Sequence, residues 1–267
     1  MSEVTTTLIC DGHLHLYPEY RWQAALIHLA SGLQQLQAAA GSVHCIGFLA
    51  ESARCRFYQQ ALGDPAAFRA DGISIAAGPE ADALVVRSNG AIAGHLVAGR
   101  QIVTRERLEV LALTRDLDVP DGLPVHEVLA EIKRQGAVAV LSWSPGKWFF
   151  GRGKIVQDLI DASPPDAFLL GDTSLRPTCW PMPALLRKAA QRGFKIIAGS
   201  DPLPLAGEER FVGTYGFTCQ APFDPDQPAA SLRRMLSGRS FAPRLVGRRS
   251  GALQFLARWG RNRVKKG

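Results

Sequence analysis

The sequence has little that would suit a secreted or membrane-spanning protein. Its five cysteines are an odd number and include no C-x-x-C pair, which argues against a disulfide framework and against a structural zinc site. No apolar run approaches the ~20 residues that a bilayer-spanning helix needs. Residues 1–8 show no basic stretch followed by an apolar one, so we expect no signal peptide. A reduced, cytoplasmic setting fits these features best.

Acidic residues are missing from the C-terminal part of the chain. Residues 233–267 contain eleven Lys or Arg and no Asp or Glu, so the net charge of +7 combines an acidic body with a strongly basic tail. Such a tail suits an acidic partner, nucleic acid or anionic lipid, although the more ordinary explanation is a solvated helix face. Leu253, Leu256 and Trp259 recur at helical spacing. We therefore expect a basic helical segment within residues 244–267 that is docked and amphipathic rather than a free arm.

Strand and helix patterns alternate along a chain that has the size and apolar content of one globular domain. With 267 residues, 46% of them hydrophobic, we expect a single α/β domain over residues 1–267. Repeated β–α units predict a parallel sheet covered by helices, and Asn89-Gly90 predicts a hairpin within a β-rich insertion in the middle. The predicted strands are 6–16, 43–50, 73–77, 84–87, 91–98, 100–104, 107–114, 137–142, 167–171 and 194–199; the predicted helices are 22–40, 53–62, 124–135, 154–162 and 183–192.

Two histidines end the first predicted strand. Side chains at i and i+2 of a strand point to the same side, so His13 and His15 direct two imidazoles at one point. Neutral imidazoles suit zinc, iron or manganese, and Asp11 is placed to orient one of the rings. The alternative is a pair of histidines satisfied by hydrogen bonds alone.

Asp201 follows the last clear strand of the β–α series, in the run Gly199-Ser200-Asp201. In a closed barrel a carboxylate at that position would face the first strand. Two histidines and one aspartate form a common hydrolytic metal site with open positions for water. The alternative is that Asp201 merely caps a turn before Pro202.

The loop 144–153 combines three glycines with two cations. Glycines let backbone N–H groups approach an anion, and Lys147 and Arg152 would balance its charge. Arg176, just after Asp172, is a second candidate anion binder with a weaker signal. A surface loop with packed aromatic side chains explains the same residues without a ligand.

The order of these motifs resembles the PHP family, named for polymerase and histidinol phosphatase domains. Its opening D-x-H-x-H motif is similar to residues 11–15, and its closing G-S-D-x-H motif to residues 199–203. Looser matches lie between them. The family's G-x-E motif corresponds to residues 99–101 of this chain, its next strand, which usually carries a histidine, to residues 108–113, and its A-H-P motif to residues 142–144. The resemblance implies a distorted (β/α)7, TIM-like barrel and a metal-dependent phosphoesterase.

Several of the family's metal ligands are replaced in this chain. Gln101 stands for the bridging glutamate, and Glu109, Trp143 and Leu203 stand for three histidines. Ala50-Glu51 stands where the family has an acid–histidine pair. The resemblance therefore implies one surviving divalent metal ion, zinc, manganese or iron, bound by His13, His15 and Asp201 with Gln101 beside them.

Three functions remain open at this point. The first is a hydrolase with one metal, acting on a small anionic, phosphate-bearing substrate. In it Glu51 or Glu109 would be the general base, and Lys147, Arg152 or Arg176 would hold the anionic group of the substrate. The second is a catalytically degenerate relative that binds a ligand or a protein. The third is an amidohydrolase-type enzyme, since the same three ligands serve that chemistry too.

Overall fold

The chain folds into two β-sheets with helices packed against them. The computed structural model describes residues 5–35, 43–53, 55–70 and 72–266. Thirteen strands and seven α-helices lie within these ranges. Among them, no helix combines the length and the apolar character that crossing a bilayer would require.

The bounds of the strands and helices follow the alternation that the sequence predicts, with additions near the C-terminus. The strands are β1 Thr5–Leu14, β2 Val43–Leu49, β3 Arg69–Ala70, β4 Ile73–Ala77, β5 Ala83–Ser88, β6 Ala91–Val97, β7 Gly99–Val103, β8 Glu109–Leu113, β9 Val138–Ser142, β10 Leu169–Thr173, β11 Ile196–Gly199, β12 Tyr215–Pro222 and β13 Arg244–Gly247. The helices are α1 Trp22–Gln35, α2 Phe57–Gly63, α3 Val125–Arg134, α4 Gly151–Ala162, α5 Ala184–Gln191, α6 Pro228–Ser237 and α7 Ala252–Lys266. The end of the predicted helix 22–40 lies outside the described residues.

The first sheet has the strand order β13-β12-β1-β2-β6-β5-β4-β3. β1 is parallel to β2, and β2 is parallel to β6. Strands β3 to β6 form the predicted β-rich insertion, with Asn89 and Gly90 at positive φ in the tight turn between β5 and β6. This is the backbone that a two-residue hairpin needs.

The second sheet has the order β11-β10-β9-β8-β7. β9, β10 and β11 are parallel, but β8 is antiparallel to both of its neighbours, β7 and β9. The expectation of a parallel sheet is therefore wrong for β8. The reason is local, because Thr104 N donates to Leu108 O at 2.9 Å and closes a turn too short to hold a crossover helix.

The two sheets meet at two corners rather than forming one continuous ladder. At one corner Glu51 N donates to Gly99 O at 3.1 Å and Gln101 N donates to Glu51 O at 2.9 Å. At the other, Asp201 N donates to His13 O at 2.9 Å. Apolar side chains from both sheets, such as Phe48 and Val140, pack between them. The corners bring the ends of β1, β7 and β11 to one place.

The basic C-terminal segment differs from its prediction in two ways. Residues 244–247 form strand β13, antiparallel to β12, and the helix α7 begins only at Ala252. The helix packs on the body through the buried Arg258, whereas the three predicted apolar positions, Leu253, Leu256 and Trp259, face outward. A buried ion pair between Arg258 and Glu208 fixes this orientation.

Candidate metal centre

The two histidines of β1 converge as their spacing predicts. His13 Nε2 and His15 Nε2 lie 3.0 Å apart, and both side chains are buried. β11 runs so close to this strand that a Cβ on Gly199 would lie 2.2 Å from His13 N. A side chain at Gly199 would therefore push the two strands apart and separate the histidines from the loop that follows β11.

Asp201 completes a group of three donors. Its Oδ1 lies 3.8 Å from the Nε2 atom of each histidine, and the three ligand atoms lie within 4.8 Å of one another. Thr173 Oγ1 donates to its Oδ2 at 2.8 Å. Asp201 also has φ 44° in front of a proline, where that backbone region is disfavoured. Backbone strain of this kind occurs at functional sites when neighbouring bonds hold it.

Gln101 and Ser142 contact the same imidazole from the second sheet. Gln101 Oε1 lies 2.9 Å from His13 Nε2, on the side of the converging donors. Ser142 Oγ lies 3.3 Å from His13 Nδ1 and so fixes the far edge of the ring. A partner on one ring nitrogen leaves the other nitrogen oriented for a ligand.

The protonation states suit a cation. Burial, helped by the neighbouring His13, lowers the pKa of His15 to about 3, so the ring is neutral at pH 7. Burial alone would raise the pKa of Asp201, but His13, His15 and the hydrogen bond from Thr173 together lower it. Two imidazoles, a carboxylate and an amide oxygen form a mixed donor set of the kind that zinc, manganese and iron accept. The chemistry of these side chains thus fits one divalent ion.

Asp11 has a different role from the one its position suggests. Its Oδ1 accepts from His13 N at 3.2 Å and from Ser200 N at 2.8 Å. Its Oδ2 accepts from Ser200 Oγ at 2.5 Å and from Gly213 N at 3.1 Å. Asp11 therefore does not contact an imidazole; it joins the backbone of β1 to the loops that carry Ser200 and Gly213.

Two positions that the resemblance to the PHP motifs matches to histidines, Trp143 and Leu203, make other contacts in the fold. Trp143 is buried among the helices on the outer face of the second sheet, where its ring meets Trp180 edge-on at 5.7 Å. The preceding residue, Ser142, is the one that faces the histidines. Leu203 accepts a hydrogen bond from Tyr20 Oη through its carbonyl. Neither side chain offers a metal a ligand.

The two candidate bases lie in different surroundings. Glu109 pairs with Ser142 across β8 and β9, which puts its side chain on the same face as Ser142. Its carboxylate lies 3.1 Å from Lys147 Nζ. Glu51 instead accepts from Tyr58 N at 2.7 Å at the start of α2, and burial raises its pKa to about 7.

The other predicted cations have partners in the protein. Arg152, in the first turn of α4, donates to Gly146 O at 2.7 Å in the loop that precedes the helix. Arg176 is buried and forms a two-pronged pair with Asp172, at 2.8 and 2.6 Å, and Tyr215 Oη donates to the same carboxylate. The structure thus brings Lys147 toward Glu109 and places Arg176 in a closed network.

Sequence reasoning missed three residues that shape the site: Tyr17, Ser142 and Thr173. The Tyr17 ring stacks on His15 with centroids 4.8 Å apart. Burial, together with the negative charges of Asp201 and Glu109, raises the pKa of its hydroxyl. Ser142 and Thr173 are the last residues of β9 and β10. Polar residues at strand ends were the available signal, because such ends meet at one edge of an α/β fold.

Comparison with known proteins gives a fold but no family. The chain matches no protein-family model and no curated sequence. Its structure is similar to that of PsfC from Pseudomonas syringae PB-5123, with a TM-score of 0.53 and 15% identity over 98% of each chain. The lesion-specific endonuclease PfuEndoQ from Pyrococcus furiosus gives a TM-score of 0.48 and 9% identity over 91% of this chain and 58% of its own. The likeness to PsfC shows a shared overall fold.

Proposed function

We propose that this protein is a hydrolase with one divalent metal ion, acting on a small anionic, phosphate-bearing substrate. We propose further that it is a divergent member of the PHP family with a distorted (β/α)7, TIM-like barrel. The observation that carries the proposal is the convergence of His13, His15 and Asp201 in one buried group. Hydrogen bonding alone does not require two histidine Nε2 atoms to face one another beside a carboxylate.

The donor set determines how many ions the site suits. Four oxygen and nitrogen donors surround one point, and the position where a bridging carboxylate would hold a second ion is a neutral amide, Gln101. When bound, a divalent ion would supply Lewis acidity and lower the pKa of a coordinated water toward ~7. His13, His15 and Asp201 would hold the ion, and Gln101 Oε1 is placed as a weak fourth donor.

Glu109 is the better placed of the two candidate bases. Its carboxylate lies on the face of the sheet that carries Ser142, and Lys147 keeps a positive charge 3.1 Å from it. A base there would accept the proton of the attacking water at a carboxylate oxygen. Glu51 would have to turn away from Tyr58 N to do the same.

Lys147 is the cation best placed to receive the substrate's negative group. It belongs to a glycine-bearing loop that follows β9, and its side chain is only partly exposed. Arg152 shapes this loop through Gly146 O and could turn toward an anion by releasing that bond. Arg176 would act indirectly, by holding Asp172 and the start of the loop after β10.

Metal analysis of protein purified without a chelator tests the proposal. We expect about one ion per chain and expect binding to disappear in His13→Ala and Asp201→Asn. His44→Ala is the matched control, because His44 is a partly exposed histidine on the neighbouring strand β2. Titration of the metal-free protein with zinc, manganese and ferrous ions, with an aryl phosphate and an aryl amide as substrates, then identifies ion and reaction class.

Each outcome decides a part of the proposal. If no ion co-purifies and none binds on titration, the hydrolase proposal fails and a ligand-binding or protein-interaction role takes its place. If one ion binds and only the amide is cleaved, the amidohydrolase alternative replaces the phosphoesterase. If the loss of metal is the same in His44→Ala as in His13→Ala, the site is not the one described.

A further inference from the structure

Helix α7 presents an apolar face to solvent. Leu253 is 84% exposed, Leu256 57% and Trp259 39%. They lie on the side opposite Arg258, which is buried. Exposed apolar residues scattered singly are ordinary, but three on one side of one helix form a patch that marks an interaction surface.

The orientation of this face is fixed by the protein body. Arg258 Nε donates to Glu208 Oε2 at 2.9 Å, and both side chains are fully buried. The Arg258 guanidinium also lies 3.9 Å from the centre of the Phe211 ring and donates to Ser250 Oγ at 2.8 Å. A helix turned by half a circle would bury the leucines and expose this pair, so the outward direction of the apolar side chains is built into the fold.

Cations border the apolar face. Arg263 lies over the Trp259 ring at 3.8 Å, and Arg261 is exposed on the other edge of the helix. At the N-terminal end of α7 a cleft of about 660 Å³ is lined by Arg210, Arg248 and Arg249 together with Gln254. No Asp or Glu belongs to the described residues that line this cleft.

We propose that α7 is a peripheral membrane anchor, which lies in the plane of an anionic lipid surface with Leu253, Leu256 and Trp259 in the acyl boundary. An apolar face flanked by Arg or Lys, with a Trp at its edge, is the composition of helices that lie in such an interface. Arg210 and Arg248 in the cleft would receive lipid phosphate groups beside the helix, whereas Arg249 is held by Pro177 O and Trp180 O at 3.1 and 3.0 Å. A nucleic acid would be attracted by the same charge but gives no reason for exposing two leucines. A second copy of the chain would bring a second all-basic segment against the first.

Co-sedimentation of the full chain with vesicles tests this inference. We expect binding to phosphatidylcholine mixed with about 30% phosphatidylglycerol, and at least about tenfold weaker binding to phosphatidylcholine alone. Leu253→Gln with Leu256→Gln should weaken binding about tenfold while keeping the helix, because Gln and Leu have similar helix propensities. Arg210→Gln with Arg248→Gln should weaken binding to the anionic vesicles to a similar degree.

Ile92→Gln is the matched control, since Ile92 is 52% exposed on the hairpin of the β-rich insertion. It should bind anionic vesicles as the wild type does. The inference is overturned if anionic vesicles are not bound at about 0.1 M salt, if neutral vesicles bind equally, or if the leucine variant binds unchanged. Binding of a duplex oligonucleotide that the leucine variant retains, without vesicle binding, would assign the surface to nucleic acid instead.

Discussion

Gln101 Oε1 lies 2.9 Å from His13 Nε2, at the point where the donors of two sheets meet. A neutral amide in this position attracts a cation less than a carboxylate of the same size and reach. We expect Gln101→Glu to raise the affinity for a divalent ion by at least about tenfold, measured by competition with a chelator. Gln220→Glu, which adds the same charge at an exposed position of β12, should leave the affinity unchanged. Equal effects of the two substitutions would mean that Gln101 does not border the ion.

Glu109 and Glu51 can be separated by their effect on turnover. With a substrate that the wild type hydrolyses, Glu109→Gln should lower kcat by about 10²- to 10⁴-fold, because a positioned base contributes that much. Glu51→Gln should leave kcat nearly unchanged, since its oxygen still accepts from Tyr58 N. The reverse result would make Glu51 the base.

His95 makes stability depend on pH. It is buried, and burial together with the nearby His44 lowers its pKa to about 4, whereas the ring in the unfolded chain titrates near ~6.5. Between these values the unfolded chain binds a proton that the folded chain does not, so stability falls as the pH is lowered through this window, by at most about 1.4 kcal/mol per pH unit. Urea unfolding of His95→Leu at several pH values should show a smaller slope than the wild type. His126→Ala, at an exposed position, should keep the wild-type slope.

The pair of Arg258 and Glu208 joins α7 to the body. Arg258→Met leaves a buried carboxylate without its partner and should reduce the free energy of unfolding by about 3–5 kcal/mol. Arg258→Met with Glu208→Leu removes both charges and should recover much of that loss. Chemical denaturation of the two variants and the wild type measures this. A double variant no more stable than the single one would show that the carboxylate is not the origin of the loss.

Phe150 has φ 56° and ψ −136° at the start of α4, and its side chain is 94% exposed. A side chain in this backbone region is strained by about 1–3 kcal/mol, while glycine adopts it freely. Phe150→Gly should therefore stabilise the fold by about 1 kcal/mol net, read from denaturant unfolding. Phe149→Gly should destabilise it, because Phe149 stacks on Trp180 with centroids 5.9 Å apart. If both Phe150→Gly and Phe149→Gly destabilise the fold, the backbone at Phe150 is not strained.

The sequence allowed the centre of the site to be predicted because local rules determine it. His13 and His15 share one side of a strand by the period of the β-structure, and Asp201 stands at a strand end. Strand and helix order followed from the same periodicities. The β-rich insertion was visible in the turn residues Asn89 and Gly90.

Contacts between residues that are distant in the sequence determined the features that could not be predicted from it. A motif match placed Trp143 in the site, but the side that a residue faces is set by strand register, and Ser142 is the one that faces inward. The apolar spacing in α7 predicted a docking face, yet the pair Arg258–Glu208, fifty positions apart, turned it outward. Arg176 was predicted to bind an anion, but its guanidinium already forms an ion pair with Asp172.

The four hydrogen bonds that Asp11 accepts bear on whether folding or metal binding comes first. They connect β1 to the loops around Ser200 and Gly213 through bonds that the chain makes for itself. The donors are therefore assembled by folding, unlike those of small metal-dependent domains in which the ion drives folding. Under the proposed function, a chelator should therefore remove the ion and leave the protein folded.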